Sequence, residues 1–304
     1  NYPFENRELI DERGAYPADF IAEGVDQTRG WFFTLHAIAT MVFDSVAYKN
    51  VVSNGLVLDK NGIKMSKRLG NVINPFECIE KYGTDAVRWY MITNSAPWDN
   101  LSFDPDGLKE VTSSFFIKLY QAYSFFTLYA NVDGFTYAEE DIPYAERPYF
   151  DRWLLSELNS LVKAVDSSLS SYEPTPAGRL VQTFVIDKLS NWYIRLNKKR
   201  FWGGGMTKDK LSAYQTLYTC LDTLSRLIAP VSPFYADRLF LDLNAVTGKD
   251  SSESVHLADF PVIHEEYVDS ELEEAMKLAM QVTTMVLSLR KKVKIPVIQV
   301  LKAI

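Results

Sequence analysis

The hydrophobic period of the chain changes at Pro105, and no other feature of the sequence constrains the fold as much. Before it, short apolar runs alternate with short helical patterns. ADFIAEG (18–24) is an apolar run closed by Gly24 and reads as a buried strand. Asp26 is placed to cap a helix over QTRGWFFTLHAIATMVF, where Trp31, Leu35, Ile38 and Val42 recur near helical period. VVSNGLVL (51–58) is a second buried-strand pattern, followed by DKNG, a turn centred on Asn61-Gly62. Asn74-Pro75 opens a helix that stops at Gly83, and Thr84 is placed to cap the next, DAVRWYMIT. Strand, helix, strand and helix in turn predict part of a parallel α/β sheet.

After Pro105 the pattern is helical throughout. Residues 107–130 form one aromatic-rich helix, with Phe115, Phe116, Tyr120, Tyr123, Phe126 and Tyr129 expected in the core. Gly134, Pro143 and Pro148 mark 131–148 as a linker. Four amphipathic stretches follow from Asp151 to about Leu243, broken at Pro174–Pro176, Gly203–Gly205 and Pro230–Pro233, and predict an all-α bundle. Ser270 is placed to cap a last helix to Lys292, after which VKIPVIQV reads as an edge strand because of Pro296. The expected divisions are 1–105, 106–148, 149–262 and 263–304.

At 304 residues, 47% hydrophobic and 23% charged, the chain can bury real cores in two or three domains, which excludes low-complexity disorder and collagen-like repeats. Its two cysteines, Cys78 and Cys220, lie on apolar helical patterns and are expected as reduced, buried thiols. No Cys/His cluster has zinc spacing, so no bound metal is expected. The absence of any apolar run of about 18 residues argues against a membrane helix. NYPFENRELIDERG is too polar for a signal peptide, so the expected location is cytoplasmic. The net charge of −7 argues against a nonspecific nucleic-acid coat, yet basic residues cluster. Seven fall between Lys188 and Lys210 against one acid, and five between Arg290 and Lys302 against none. Such patches on an acidic body suit a polyanion bound at chosen places.

Two segments carry the chemistry. Lys64-Met65-Ser66-Lys67-Arg68 follows a strand and an Asn-Gly turn and precedes a helix. Two lysines on a mobile loop can close over a polyphosphate and offset the charge that builds as a phosphate group leaves; a solvated basic loop is the plain alternative. In Glu23-Gly24-Val25-Asp26-Gln27-Thr28-Arg29-Gly30-Trp31-Phe32, Gly24 lets a ligand approach the backbone at a strand end, and Glu23, Asp26 and Gln27 supply polar groups at the carboxyl edge of a sheet. Here a simple N-cap for Asp26 and a core position for Trp31 are the alternatives.

Together, EGVDQTRGWF and SNGLVLDKNGIKMSKRLGN resemble class I aminoacyl-tRNA synthetases, and the DQxRGWF form resembles the isoleucine branch rather than the valine or leucine ones. The resemblance continues through NPFECIEKYGTDAVRWYMITNSAPWDN and NWYIRLNKKRFW and thins past Leu243. It implies the second half of a Rossmann catalytic domain with its KMSKS-type loop, then an all-α anticodon-binding bundle. It further implies that Glu23, Gly24, Asp26 and Gln27 line the adenylate site, Glu23 receiving the amino group and Asp26 lying near the ribose. Trp31 would wall an aliphatic pocket, and Asn54-Gly55 would meet the adenine edge. Lys64 and Lys67 would stabilise departing pyrophosphate, with Met65 and Ser66 placing the loop around the nucleotide. The implied substrates are isoleucine and ATP with its Mg2+, and the implied partner is tRNA(Ile).

The helix Asn191–Trp202 presents Arg195, Lys198, Lys199 and Arg200, then Phe201 and Trp202. Cations beside an aromatic can neutralise phosphates and stack a splayed base; the alternative is a solvated face with Trp192 and Trp202 in the core. The run RKKVK over Arg290–Lys294 is as well explained by a helix C-terminus. Arg68 stands where the family loop ends in Ser, and Asn54 where many members have His. His36, His256 and His264 do not form the family's HxGH motif, and nothing here encodes its editing insertion or first Rossmann half. The chain is therefore expected to be a segment of a longer synthetase, to need the rest of that chain, and to be unable to activate isoleucine alone. A valine or leucine enzyme, or a tRNA-binding module without catalysis, are the competing readings.

Overall fold

The computed structural model describes residues 4–12, 14–297 and 299. It divides into two compact units, Asn1–Ile117 with Val165–Gln182 and Ile228–Tyr235, and Lys118–Ala164 with Thr183–Leu227 and Ala236–Ile304.

The first unit begins with a short helix, α1 (Arg7–Asp11), and a strand, β1 (Ala18–Gly24). A 3-10 turn over Val25–Arg29 leads into α2 (Trp31–Phe43), and β2 (Tyr48–Asn54) returns parallel to β1. Asp26 thus lies inside the turn and does not cap α2. The group that meets the first helical amide is the Gln27 carboxamide, whose Oε1 accepts from Trp31 N at 2.8 Å. VVSNGLVL is also interrupted. Its second part, β3 (Val57–Leu58), leaves β1 and β2 and pairs in parallel with β4 (Leu101–Ser102). The cause is Gly55, where a Cβ would stand 2.3 Å from the carbonyl oxygen of Asp99, so the backbone of 97–101 crosses there and captures the strand. The β1–α2–β2 module leaves Phe20, Phe33, Met41, Val42 and Val51 exposed, whereas parallel strands are ordinarily covered on both faces.

Asn74 and Pro75 start α3 (Pro75–Tyr82) as expected, the Asn74 carboxamide accepting from Phe76 N at 3.0 Å. Gly83 ends it, and α4 (Thr84–Asn94) follows with no side-chain cap from Thr84. The core of this unit is Trp89, stacked on Phe115 at 4.3 Å, with Tyr90, Phe103 and Leu108 also buried. α5 (Pro105–Val111) opens the helical region, and Gly107 lets it approach Tyr90, whose ring a Cβ would strike at 2.4 Å.

The expected single helix over 107–130 is α5, a π-helical turn at Thr112–Phe116, and α6 (Ile117–Asp133). Its buried stripe is Phe115, Leu119, Ala122, Phe126 and Ala130, while Tyr120 is exposed. The buried positions keep a spacing of three or four from Leu108 to Ala130, and of the six expected aromatics only Phe115 and Phe126 fall on that spacing.

The remaining helices are α7 (Tyr149–Ser170), α8 (Pro174–Thr183), a π-helical stretch Phe184–Ile194, α9 (Arg195–Trp202), α10 (Lys208–Ile228), α11 (Pro233–Thr247) and α12 (Ser270–Lys292). In the second unit Trp153, Leu154, Phe184, Tyr193, Phe201, Tyr214, Leu217 and Phe240 are all fully or almost fully buried. The cap of α12 is Asp269, which accepts from Leu272 N at 2.9 Å, one position ahead of Ser270. The edge strand expected at 293–300 is absent from its described residues, 293–297 and 299, which form turns; Arg290 donates from Nη1 to Pro296 O at 2.7 Å and Gln299 O at 2.9 Å. Both cysteines are buried free thiols, and burial pushes the Cys220 thiol well up. Among the described residues no helix is long and apolar enough to cross a membrane.

Candidate functional site

The parallel register of β1 and β2 sets Glu23 opposite Ser53 and Gly24 opposite Asn54. Two polar turns, each containing a glycine, therefore lie side by side at the carboxyl ends of the strands, the edge where open α/β sheets take their ligands. Gly24 and Gly30 are there for space. A Cβ at Gly24 would stand 2.6 Å from Asp26 Oδ1, and one at Gly30 would stand 2.6 Å from Gln27 Oε1. With those two positions bare, the Asp26 carboxylate and Gln27 carboxamide fold back over the turn, and Gln27 Nε2 donates to Asp26 Oδ2 at 3.3 Å. Gln27 so fixes Asp26 on one side and the first amide of α2 on the other. Glu23 and Asp26 remain exposed, and Trp31 is 51% exposed beside them, so it is not a core aromatic.

Asn54 and Gly55 are half-buried at the end of β2, where Gly55 N donates to Pro97 O at 2.8 Å and Leu56 N donates to Asn100 Oδ1 at 2.9 Å. The chain then runs through β3 into the basic loop. Lys64 makes an isolated antiparallel bridge with Leu58, and Met65 and Ser66 are half-buried. The side chains of Lys64, Lys67 and Arg68 are exposed and form no ion pair among the described residues. Ser66 does not present a free backbone amide: its N–H donates to Asn71 Oδ1 at 2.9 Å, and Asn71 Nδ2 donates to Asp59 Oδ2 at 2.9 Å. From the sequence, Asp59 is only the start of the DKNG turn, and Asn71 is not among the expected site residues. The signal that could have found them is an Asp and an Asn at opposite ends of a Gly-marked loop.

In the second unit the basic helix divides in two. Arg200 faces inward, where its guanidinium meets both oxygens of the fully buried Asp151 carboxylate, at 2.6 and 2.8 Å, and Nε donates to Asp209 at 3.0 Å. Tyr193 Oη and Ser212 Oγ donate to the same Asp151 at 2.7 and 2.5 Å. Lys188, Lys208 and Lys210 likewise pair with Glu157, Glu146 and Asp133. Arg195, Lys198 and Lys199 remain exposed and unpaired among the described residues. Trp202 is 57% exposed on the same helix, whereas Phe201 is core. Spacing alone could not separate these groups, because Asp151 lies 49 positions from Arg200.

A cavity of about 560 Å3 in the second unit is lined by Arg147, Asn159, Asp222, Arg226 and Tyr267 among others, and one of about 480 Å3 in the first by Thr84, Asp85 and Phe116; neither contains an expected site residue. Among the described residues no three His, Cys, Asp or Glu groups stand together to hold a metal ion.

Comparison with known proteins matches two stretches of the chain. Residues 1–104 match the tRNA synthetases class I (I, L, M and V), and 151–304, half of the chain, match the anticodon-binding domain of tRNA ligase; the chain belongs to this family of class I tRNA ligases. Its relatives are more particular. It is 68% identical, over its whole 304 residues, to 27% of the isoleucine–tRNA ligase of Bacteroides fragilis. Against the isoleucine–tRNA ligase of Dehalococcoides mccartyi it is 48% identical over 300 residues, 98% of this chain and 29% of that protein. The chain thus spans about a quarter of the length of the curated relatives it matches. Among solved structures, the LeuRS of Agrobacterium radiobacter, in a ternary complex with tRNA and LeuAMS, shares the fold with a TM-score of 0.62 at 20% identity, over 83% of this chain and 29% of that one.

Proposed function

We propose that this chain is the part of an isoleucine–tRNA ligase that supplies the second half of the catalytic domain, over 1–105, and the anticodon-stem binding bundle, over 149–262. The ligase joins the isoleucine carboxylate to the α-phosphorus of ATP with loss of pyrophosphate, then passes the aminoacyl group to tRNA(Ile). The observation that carries the reading is the 68% identity over the full chain to an enzyme of that name, and the pairing of the 23–27 turn with Asn54 fits it.

In this reading Glu23 accepts the substrate ammonium, while Gly24, Asp26 and Gln27 line the adenylate site with Asp26 toward the ribose. The Gln27 carboxamide, bound to both Asp26 and the start of α2, holds that edge rigid. Asn54 and Gly55 meet the adenine, Trp31 forms one pocket wall, and Met65 and Ser66 place the loop. Lys64 and Lys67 neutralise charge on the pyrophosphate as it departs with the Mg2+ that ATP brings. Arg195, Lys198, Lys199 and Trp202 face the tRNA, and Arg200 acts by holding their helix. The exposed apolar faces of β1, α2 and β2 support a requirement for further catalytic-domain chain to cover them.

Binding to tRNA(Ile) and to a mismatched tRNA, measured over a salt series, tests the bundle: tighter binding of tRNA(Ile) is expected, and equal affinity with equal salt slopes refutes recognition. Isoleucine-dependent pyrophosphate exchange tests the rest. The full-length ligase is expected to be active and residues 1–304 alone inactive; appreciable exchange by this chain alone refutes its dependence on the missing half.

A further inference from the structure

The loop that bears Lys64 and Lys67 is closed at its base by its own end residues. Asp59 is only 7% exposed beneath a loop whose other side chains are mostly in solvent. Its Oδ1 accepts from Asn61 N at 2.9 Å and Ile63 N at 2.8 Å, and its Oδ2 accepts from Asn71 Nδ2 at 2.9 Å. Asn71 in turn accepts from Ser66 N at 2.9 Å and shares its amide with Lys64 O at 3.3 Å. Those two backbone groups flank Met65, so one carboxamide ties down the centre of the basic segment. The Asp59 carboxyl is held below the usual carboxylate range, first by Asn71 and then by the Ile63 amide. Each partner fits in one sense only. A carboxylate accepts and cannot donate, while the carboxamide must turn its oxygen to Ser66 and its NH2 to Asp59.

We propose that Asp59 and Asn71 are positioning residues, a clamp that fixes the loop's base so that Lys64 and Lys67 reach triphosphate from a defined frame. Gly62 at φ +75° and Gly70 at φ +66° supply the left-handed backbone on either side of the basic segment. A lysine held only by a floating loop would have to be ordered during the reaction, which lowers the rate rather than the affinity for the amino acid. This rests on the assignment of the loop to ATP.

The test compares Asp59→Asn, Asn71→Asp and the exchanged pair Asp59→Asn/Asn71→Asp in the full-length ligase. The first variant sets two NH2 groups face to face, and the second sets two carboxylates. The exchanged pair restores one donor to one acceptor and keeps the Ser66 bond, giving up only the bond to Lys64 O. Two readouts are taken, trypsin cleavage after Lys64, Lys67 and Arg68, and isoleucine-dependent pyrophosphate exchange. Each single variant is expected to be cut about tenfold faster and to lose about tenfold or more in kcat, with the isoleucine KM within twofold. The exchanged pair is expected to return within about threefold of the parent in both. Parent-like cleavage in both single variants, or an exchanged pair as impaired as the sum of its parts, overturns the clamp. Faster cleavage with unchanged exchange kinetics overturns the positioning role, and Lys67→Ala in the same assay tells this apart from a failure of the loop's assignment to ATP, which an unchanged Lys67→Ala rate would show.

Discussion

Replacing Arg200 by Met separates a structural cation from the exposed cations proposed to face tRNA on the same helix. In the folded chain Arg200 gives Asp151 two bonds, at 2.6 and 2.8 Å, and Asp151 has no exposure to water. Without the guanidinium, the carboxylate keeps only the Tyr193 and Ser212 hydroxyls. Breaking a buried pair from one side costs about 3–5 kcal/mol, and the two surviving hydroxyl bonds place this case near 3 kcal/mol. At roughly 2–4 °C per kcal/mol for a unit of this size, the Tm of residues 1–304 should fall on the order of 10 °C, followed through the helical circular-dichroism signal. Adding Asp151→Asn removes the stranded charge, keeps an acceptor for one hydroxyl and turns an NH2 donor to the other, whose oxygen can accept, so the double variant should recover more than half of the loss. Lys198→Ala with Lys199→Ala should behave oppositely. These exposed side chains should leave the Tm within about 1 °C, weaken tRNA binding, and reduce the slope of log affinity against log salt by roughly 0.7–0.9 for each phosphate no longer neutralised. An Arg200→Met chain that melts with its parent and loses tRNA affinity as the lysine pair does would refute the assignment of Arg200 to the bundle's interior.

Lys67→Ala in the full-length ligase should lower the rate of pyrophosphate exchange about 100-fold or more, with a much smaller change in isoleucine affinity; an unchanged rate removes Lys67 from the chemistry. Gly55→Ala drives a methyl to within 2.3 Å of the Asp99 carbonyl oxygen, which is backbone and cannot swing away. It should cost about 1–3 kcal/mol in thermal or urea unfolding, and a neutral result would show that 97–101 does not press on β2. Asp250 is held near a pKa of about 2, first by the Ser252 amide and also by Arg226. A depressed carboxyl stabilises the fold fully above about pH 4, its unfolded range, and loses that contribution as pH falls to about 2. Allowing for solvent at this partly exposed group, about 1–2 kcal/mol is at stake. Asp250→Asn should therefore flatten the acid limb of stability between pH 4 and 2, and an unaltered limb refutes this.

Where structure is written in neighbouring residues, the sequence was legible. Asn74-Pro75 starts α3 and Gly83 stops it because the cap and the stop lie within one turn of the residues they serve. The parallel pairing of β1 and β2 follows from two apolar runs with a helix between them. The misses are contacts that a period does not encode. Asp26 looked like a cap because Asp usually is one, yet Gln27 is longer, and the bare Cα of Gly30 gives its carboxamide room to reach Trp31 N first. VVSNGLVL reads as one strand until the distant 97–101 segment crosses Gly55 and takes the second half.

The site shows the same division, with a consequence for how it works. The exposed lysines of the loop and of α9 were visible as charge, but charge did not say which cations are held by acids. Arg200 and Lys199 are adjacent and equally basic, and what distinguishes them is that the helix turns one toward Asp151 and the other toward water. The basic loop is the reverse case. Lys64 and Lys67 form no ion pair among the described residues, and the buried carboxylate of the loop, Asp59, hydrogen-bonds to backbone amides and Asn71. Had Asp59 paired with Lys64 or Lys67, the charge that the proposed function sets against the triphosphate would have been neutralised in advance. With a carboxamide as the intermediary, the same carboxylate orders the loop and leaves both ammonium groups available.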